Sequence, residues 1–122
     1  MKVMILTKMS EAAENMVPPS EEAIVAMHNY NEALIAAGIL KDQIYGGLMP
    51  SKFAKRLQYT GKKMTVTDGP FTETKELVAG FWLWKCQSLE EAIEWVKRCP
   101  NPMPGEDSDI EIRPLYEMED FK

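Results

Sequence analysis

Hydrophobic residues recur along the chain with two different periods, and the two patterns predict helices and strands. Between 20 and 38 they return every three or four residues, as on one side of a helix. The residues are Ala23, Met27, Tyr30, Leu34 and Ala37, with Ile24 and Ile35 on the same side. Ser20 precedes the run and is suited to cap a helix, and Gly38 follows it as a left-handed stop. The pattern therefore predicts one long helix between Ser20 and Gly38.

A second helix is predicted after Ser88. Glu91 follows Ser88 by three residues, which is the spacing of a capping box. Pro100 ends the predicted helix, because proline has no N–H to donate. The residues expected on its buried side are Leu89, Ala92, Ile93, Val96 and Cys99.

Short apolar or alternating runs predict the strands. They lie at 1–8, 39–48, 53–59, 62–67, 78–86 and from 110 onward. The run 78–86 is apolar on both of its faces, since Trp82 and Trp84 alternate with Phe81 and Leu83. We expect this strand to be central, with helices on one face and a second sheet on the other. Met64 and Val66 alternate with threonines, as in a half-buried strand. Pro114 confines the last strand to an edge or a bulge.

The order of the predicted elements defines a single α+β domain over 1–122. It reads β-α-β-β-β-α-β, with two helices and about five strands, and with loops at 10–19 and 100–109. Two helices cover only one face of such an antiparallel sheet. The other face is apolar and needs a partner, so we expect a homodimer that pairs through its sheet faces.

Composition and charge exclude several classes of protein. The 122 residues are 45% hydrophobic and 27% charged, which is typical of a globular domain. The net charge of −5 disfavours binding to nucleic acid, because the phosphate backbone repels an acidic chain. No apolar run approaches the ~20 residues needed to cross a bilayer. The first eight residues are too short to form a signal peptide, so we expect a cytoplasmic protein without a membrane partner.

The chain has few residues of the types that bind metals and lacks the loop motifs that bind phosphates. The chain has one histidine and two distant cysteines, Cys86 and Cys99, which gives no zinc or iron pattern. We expect both thiols to be reduced and used as small apolar groups. No glycine-rich phosphate loop and no nucleophile elbow occurs. The sequence therefore predicts no metal and no cofactor.

The segment that carries most chemical information begins at Asp68. This residue lies where a strand meets a loop, and Gly69 and Pro70 after it restrict the backbone path. A carboxylate held there faces a cleft as a base, or it only closes a turn through its own backbone contacts. The residues themselves leave both interpretations open.

The sequence around this turn resembles a known family. Asp68, Gly69, Pro70 and Phe71, with Glu-Thr-Lys-Glu at 73–76, closely resemble the signature of the DGPF-type branch of YCII-related proteins. The likeness continues through Gly80 and Phe81, the helix at 89–95 and the strand at 110–114, and so covers most of the chain. It implies a ferredoxin-like α+β fold that pairs as a dimeric α/β barrel. It implies little about activity, although the wider fold includes cofactor-free lyases, isomerases and monooxygenases.

Two functional hypotheses follow. The first is an uncharacterised protein that binds a small molecule in a cleft beside loop 68–71, with Gly69, Pro70 and Phe71 as ligand contacts. The second is a cofactor-free acid–base enzyme of the lyase or isomerase type. In it Asp68 is the base and His28, whose pKa is ordinarily near neutrality, assists. The wider YCII group has a His–Asp pair in a cleft, but His28 does not align clearly with that histidine. The alternative interpretation of His28 is a boundary residue of the first helix with one ring nitrogen in water. A purely structural role for loop 68–71 is a third interpretation.

Overall fold

The computed structural model of the chain describes residues 1–103 and 106–122, and all of their side chains except that of Lys75. The helices and strands are β1 (Lys2–Lys8), α1 (Glu11–Glu14), α2 (Glu21–Ala36), β2 (Tyr45–Gly47), β3 (Lys55–Thr60), β4 (Lys63–Asp68), β5 (Val78–Lys85), α3 (Leu89–Lys97) and β6 (Ile110–Pro114). Short 3₁₀ turns occupy Ser51–Phe53, Thr74–Glu76 and Met118–Phe121. The predicted α+β class is confirmed.

Four strands form one antiparallel sheet in the order β2-β5-β1-β6. The strand predicted at 78–86 is therefore central, as expected, and Pro114 lies on edge strand β6. Val3 and Ile5 point to the same face as Trp82 and Trp84, and this face carries the core. β3 and β4 form a separate two-stranded sheet. The described residues thus form six strands in two sheets, one in each of the six predicted runs, so the predicted count of about five was one too low.

Helix α2 confirms the prediction made from its two ends. The Ser20 hydroxyl accepts the N–H of Ala23 over 3.1 Å, and Gly38 takes a left-handed φ of +77° just beyond the helix. Tyr30 and Leu34 are buried against the sheet. Ile24 was expected on the same side but is exposed, because it lies on the far flank of the helix.

The core lies between the sheet and helices α2 and α3. Its largest fully buried side chains are Trp84, Ile5, Leu34, Leu40 and Val3. The phenol of Tyr30 donates to the carbonyl oxygen of Trp95 over 2.6 Å and so joins the two helices. Ala92 of α3 is buried in the same cluster, whereas Leu89 and Ile93, predicted on its buried side, are exposed.

Two regions differ from the predicted elements. Residues 10–19 contain α1, whose first turn is capped by Ser10 through the N–H of Ala13. The strand predicted at 39–48 shrinks to Tyr45–Gly47. Ile39 and Leu40 are apolar because they fill the core from a turn, where both of their N–H groups bond to the carbonyl of Leu34. The loop predicted at 100–109 includes residues 104 and 105, which lie outside the described residues.

The hairpin of β3 and β4 turns at Gly61, whose φ of +63° suits the tight connection. Every residue of both strands is exposed. Met64 and Val66 were predicted to be half-buried, but within this single chain they face solvent. The alternating pattern was interpreted correctly as a strand, and the burial it suggests is not provided by the chain itself.

Candidate functional site

Loop 68–71 packs tightly against the 3₁₀ turn Ser51–Phe53. The N–H of Gly69 donates to the carbonyl of Ala54 over 3.0 Å. A Cβ added to Gly69 would overlap the carbonyl oxygen of Ser51. Glycine is required here by a close backbone approach, and the peptide bond that follows it, to Pro70, is cis. The loop is therefore fixed against the segment that begins at Ser51.

Ser51 and Glu14 connect this loop to helix α1. Ser51 is buried, and its N–H and hydroxyl donate to the two carboxylate oxygens of Glu14 over 2.6 and 2.5 Å. The Ser51 oxygen also accepts the N–H of Phe71 over 2.9 Å. Hydrogen bonds to an ionised acceptor are shorter and stronger than those between neutral groups. Ser51 therefore connects helix α1, its own 3₁₀ turn and loop 68–71, which are distant in sequence.

A cavity of about 400 Å³ opens beside these contacts, and we call it the loop cavity. Its lining is Met9, Glu14, Leu48, Met49, Pro50, Ser51, Phe53, Ala54, Phe71, Leu77 and Val78. The lining is mainly apolar, and its polar residues are Glu14 and Ser51. Apolar walls with a few fixed polar groups are typical of small-molecule sites.

A second cavity, of about 510 Å³, shares Met9 and Leu48 with the first. We call it the helix cavity, because residues of α1 and of the segment leading into α2 line it. These residues include Ala12, Ala13, Val17 and Pro19. The shared methionine and leucine place the two cavities side by side along one groove.

The ring of Phe71 is held between the loop cavity and a cation. It lines the cavity, and the guanidinium carbon of Arg56 lies 3.8 Å from its centroid. This cation–π contact fixes the ring at the cavity wall. Of the three predicted ligand contacts, Phe71 reaches the cavity, Gly69 packs on the Ser51 backbone, and Pro70 is exposed.

Asp68 lies outside both cavities. Its side chain is 72% exposed, and Oδ1 accepts from Nζ of Lys55 over 2.7 Å across the base of the hairpin. Such a surface ion pair contributes about 0–1 kcal/mol to stability. The structure therefore places the predicted base in solvent, with a cation as its partner.

His28 lies on α2 and lines a third cavity of about 360 Å³. Its side chain is exposed, and Nε2 lies 4.0 Å from Oε1 of Glu32 on the same helix. Asn31 and Asn101 share this cavity with it, whereas Asp68 does not. The structure does not bring the predicted acid–base pair together in any cavity described here.

Two residues of the site were missed by sequence reasoning. Glu14 lies in a segment that was interpreted as a loop, and Ser51 lies in a stretch without a repeating pattern. Ser10 before Glu-Ala-Ala-Glu is a helix-capping signal that would have found α1 and, with it, Glu14. The contact of Glu14 with Ser51 spans 37 residues and leaves no local signal.

Two tryptophans and two cysteines named from the sequence belong to the core or pack against it. Trp82 is buried and donates to Oδ1 of Asn31 over 2.8 Å, and Trp84 is fully buried. Cys86 and Cys99 are free thiols, and burial raises the pKa of each to about 11. Within residues 1–103 and 106–122, no three His, Cys, Asp or Glu side chains are grouped to hold a metal ion.

The fold and the site thus define an α+β domain with a mainly apolar groove beside loop 68–71. Glu14 and Ser51 are the polar residues of its loop cavity. Residues 1–119 match the YCII-related domain, and the chain belongs to this family. It is also 41% identical over 68 residues to an uncharacterized protein of Rhizobium meliloti (strain 1021). That match covers 56% of the chain and 54% of the relative, so the chain aligns with about half the relative's length. None of the described helices is long and apolar enough to span a bilayer.

Proposed function

We propose that the protein binds a small, mainly apolar molecule with a hydrogen-bond donor in the loop cavity. The observation that carries this proposal is Glu14, whose carboxylate is held by Ser51, in an otherwise apolar lining. Ser51 orients both carboxylate oxygens, and each oxygen retains further acceptor capacity. Apolar contact supplies affinity in such a site, and the fixed acceptor selects amines or hydroxyl compounds over carboxylates.

Matched series of small aromatic and aliphatic compounds test this proposal. Each series contains an amine, an alcohol and a carboxylate on the same apolar group, and binding is measured as a thermal shift. A ligand at 100 times its dissociation constant adds about 2.7 kcal/mol of stability. We expect shifts with amines or alcohols and none with the matching carboxylates. A preference for carboxylates, or no shift in any series, contradicts the proposal.

Two variants locate the binding in the loop cavity. Ala54→Phe fills the cavity, and Ala33→Phe adds the same group at an exposed position of α2. The first variant is expected to abolish the thermal shift and the second to preserve it. Glu14→Gln keeps the size of the side chain while removing its charge, and is expected to weaken amines more than alcohols.

The acid–base hypothesis has less support. It requires Asp68 and His28 to reach one substrate, and none of the three cavities described above is lined by both. A catalytic role for this pair stays a prediction. Glu14 is the carboxylate that lines the loop cavity, so an acid–base reaction at this site would depend on Glu14. Replacement of Asp68 by Asn separates the two hypotheses, since it leaves the Glu14 contacts untouched.

The proposal extends to assembly. The strand order of the main sheet supports a ferredoxin-like topology, and the Asp68-Gly69-Pro70-Phe71 sequence supports the DGPF-type branch of the family. Helices cover one face of the sheet, and the other carries the cross-strand pairs Met4–Leu83 and Leu6–Phe81. Two copies pairing through these apolar faces would form a dimeric α/β barrel. Sedimentation equilibrium tests this: a dimer at micromolar concentration is expected, and a stable monomer contradicts it.

A further inference from the structure

The hairpin of β3 and β4, which we call the arm, has one apolar and one polar face. Leu57 pairs directly with Val66, and Tyr59 with Met64, so these four side chains lie together. The opposite face holds polar residues, namely Arg56, Gln58, Thr60, Lys63, Thr65 and Thr67. Tyr59 is 74% and Val66 62% exposed. The apolar face of the arm is therefore uncovered in the single chain.

Such an arm requires a partner surface. A two-stranded hairpin alone is marginally stable in water, and a contiguous exposed apolar face marks an interaction site. The alternation of the arm residues is that of a strand pair with one face covered. The pattern therefore indicates that something packs on this face when the protein is assembled.

The charge of the arm identifies what it fits. Lys62 and Lys63 lie at its tip and Arg56 lies on its polar face, while Lys55 pairs with Asp68 at its base. This cationic segment belongs to a chain whose net charge is −5. The complementary surface is therefore apolar and acidic, since unlike charges draw the two surfaces together and set their register.

The chain itself carries a surface of that kind at 115–122, which we call the tail. Tyr116, Met118 and Phe121 are exposed there, and the two aromatic rings stack with centroids 4.9 Å apart. Three acidic residues are interspersed with them, namely Glu117, Glu119 and Asp120. Arm and tail are thus both apolar and have opposite charge.

Arm and tail lie at opposite ends of the main sheet. Loop 68–71, at the base of the arm, lies near the start of β5, where the N–H of Met9 donates to the carbonyl of Leu77. The tail begins near the other end, where Leu115 bonds to Lys2 and Cys86 bonds to Met1. The eight residues of β5 separate these ends by about 26 Å, at ~3.3 Å per residue. A two-fold axis perpendicular to the strands would bring the arm end of one copy next to the tail end of the other.

We infer that the arm of one copy binds the tail of a second copy, and that the exchange is reciprocal. The inference rests on the sheet pairing proposed above and adds a specific second contact to it. The arm covers Tyr116 and Phe121 of its partner with its apolar face, while Lys62 and Lys63 at its tip border the partner's acidic residues. It does not depend on the ligand proposed for the loop cavity.

Sedimentation equilibrium of two matched variants tests the contact. Tyr59→Asp places a charge on the apolar face of the arm, and Gln58→Asp places the same charge one residue away on the polar face. Tyr59→Asp removes an interface contact, so it is expected to raise the dimer dissociation constant about tenfold or more. Gln58→Asp retains the contact, so it is expected to change this constant less than about threefold. Equal effects of the two variants overturn the inference.

Cross-linking of mixed protein identifies the partners. Nitrogen-15-labelled and unlabelled full-length chains are mixed, equilibrated and treated with a carbodiimide, which joins amines to carboxylates in contact. Mixed-isotope peptides linking Lys62 or Lys63 to Glu117, Glu119 or Asp120 are expected. A dimer without such links overturns the arm–tail contact and leaves the sheet pairing standing. A monomer overturns both, and ligand binding by that monomer leaves the loop-cavity proposal intact.

Discussion

The hydroxyl of Ser51 donates to Oε2 of Glu14 over 2.5 Å while its oxygen accepts the N–H of Phe71 over 2.9 Å. One buried side chain therefore joins the end of α1 to the loop that follows β4. Glu14 and Ser51 also line the loop cavity. Stability of the loop and shape of the cavity consequently depend on the same two residues.

Ser51→Ala is expected to lower the free energy of unfolding by about 1–3 kcal/mol, the cost of leaving buried polar partners unsatisfied. The variant removes the donor to Glu14 and the acceptor for Phe71. Thr72→Ala is the control, because Thr72 is exposed and its hydroxyl bonds only to the neighbouring Glu73 among the described contacts. Its expected effect is within about 0.5 kcal/mol. Urea denaturation measures both, and equal effects would contradict this assignment.

Gly69→Ala is expected to destabilise the protein by roughly 1–3 kcal/mol or to displace loop 68–71, because forced overlap shifts the backbone. The new methyl group meets the backbone carbonyl of Ser51, which has no flexible side chain to yield. Gly47→Ala is the matched control, since its nearest contact is 4.0 Å away. Denaturation midpoints are compared, and a neutral Gly69→Ala would show that the close approach is not fixed.

The two thiols are expected to react slowly at pH 8. Burial raises the pKa of Cys86 and Cys99 from 9.0 to about 11. The thiolate fraction at pH 8 is therefore about 100-fold lower than in the unfolded chain. Labelling by an aromatic disulfide reagent in buffer and in urea measures the ratio. Equal rates in the two solvents would show that the thiols are not buried.

The same shifts set the direction of the pH dependence at alkaline pH. Well below pH 9 the folded and unfolded chains both keep their thiol protons, so the thiols do not make the free energy of unfolding depend on pH there. As the pH rises from 9 towards 11, the unfolded chain releases protons that the folded chain retains. Desolvation also raises the pKa of Tyr30 above its ordinary value. The free energy of unfolding is expected to fall across this range in denaturation measured at successive pH values, and a flat profile would contradict it.

Local signals predicted much of the fold. The Ser20 cap and Gly38 stop bracket α2, and Ser88 accepts the N–H of Glu91 at the start of α3. The alternation around Trp82 and Trp84 placed β5 at the centre of the sheet. These features depend on residues a few positions apart, so a single sequence contains them.

The site was harder to predict because its contacts are long-range. Phe71, which was predicted as a ligand contact, lines the loop cavity. Glu14 and Ser51 are 37 residues apart, and no spacing rule relates a loop glutamate to a distant serine. Asp68 and His28 have chemically suggestive side chains, yet their positions in space depend on the hairpin and on α2. Side-chain chemistry alone could not show that these two elements line different surfaces.

The most direct test of the ligand site is a nitrogen-15 correlation spectrum recorded during titration with the best-binding amine of the matched series. We expect the largest shifts at the backbone amides of Ser51, Ala54, Phe71 and Val78, which surround the loop cavity. The same titration of Ala54→Phe should leave these amides unchanged. Shifts confined to the surface around His28 and Asn31, or no saturable shift at loop 68–71, would contradict binding beside Glu14.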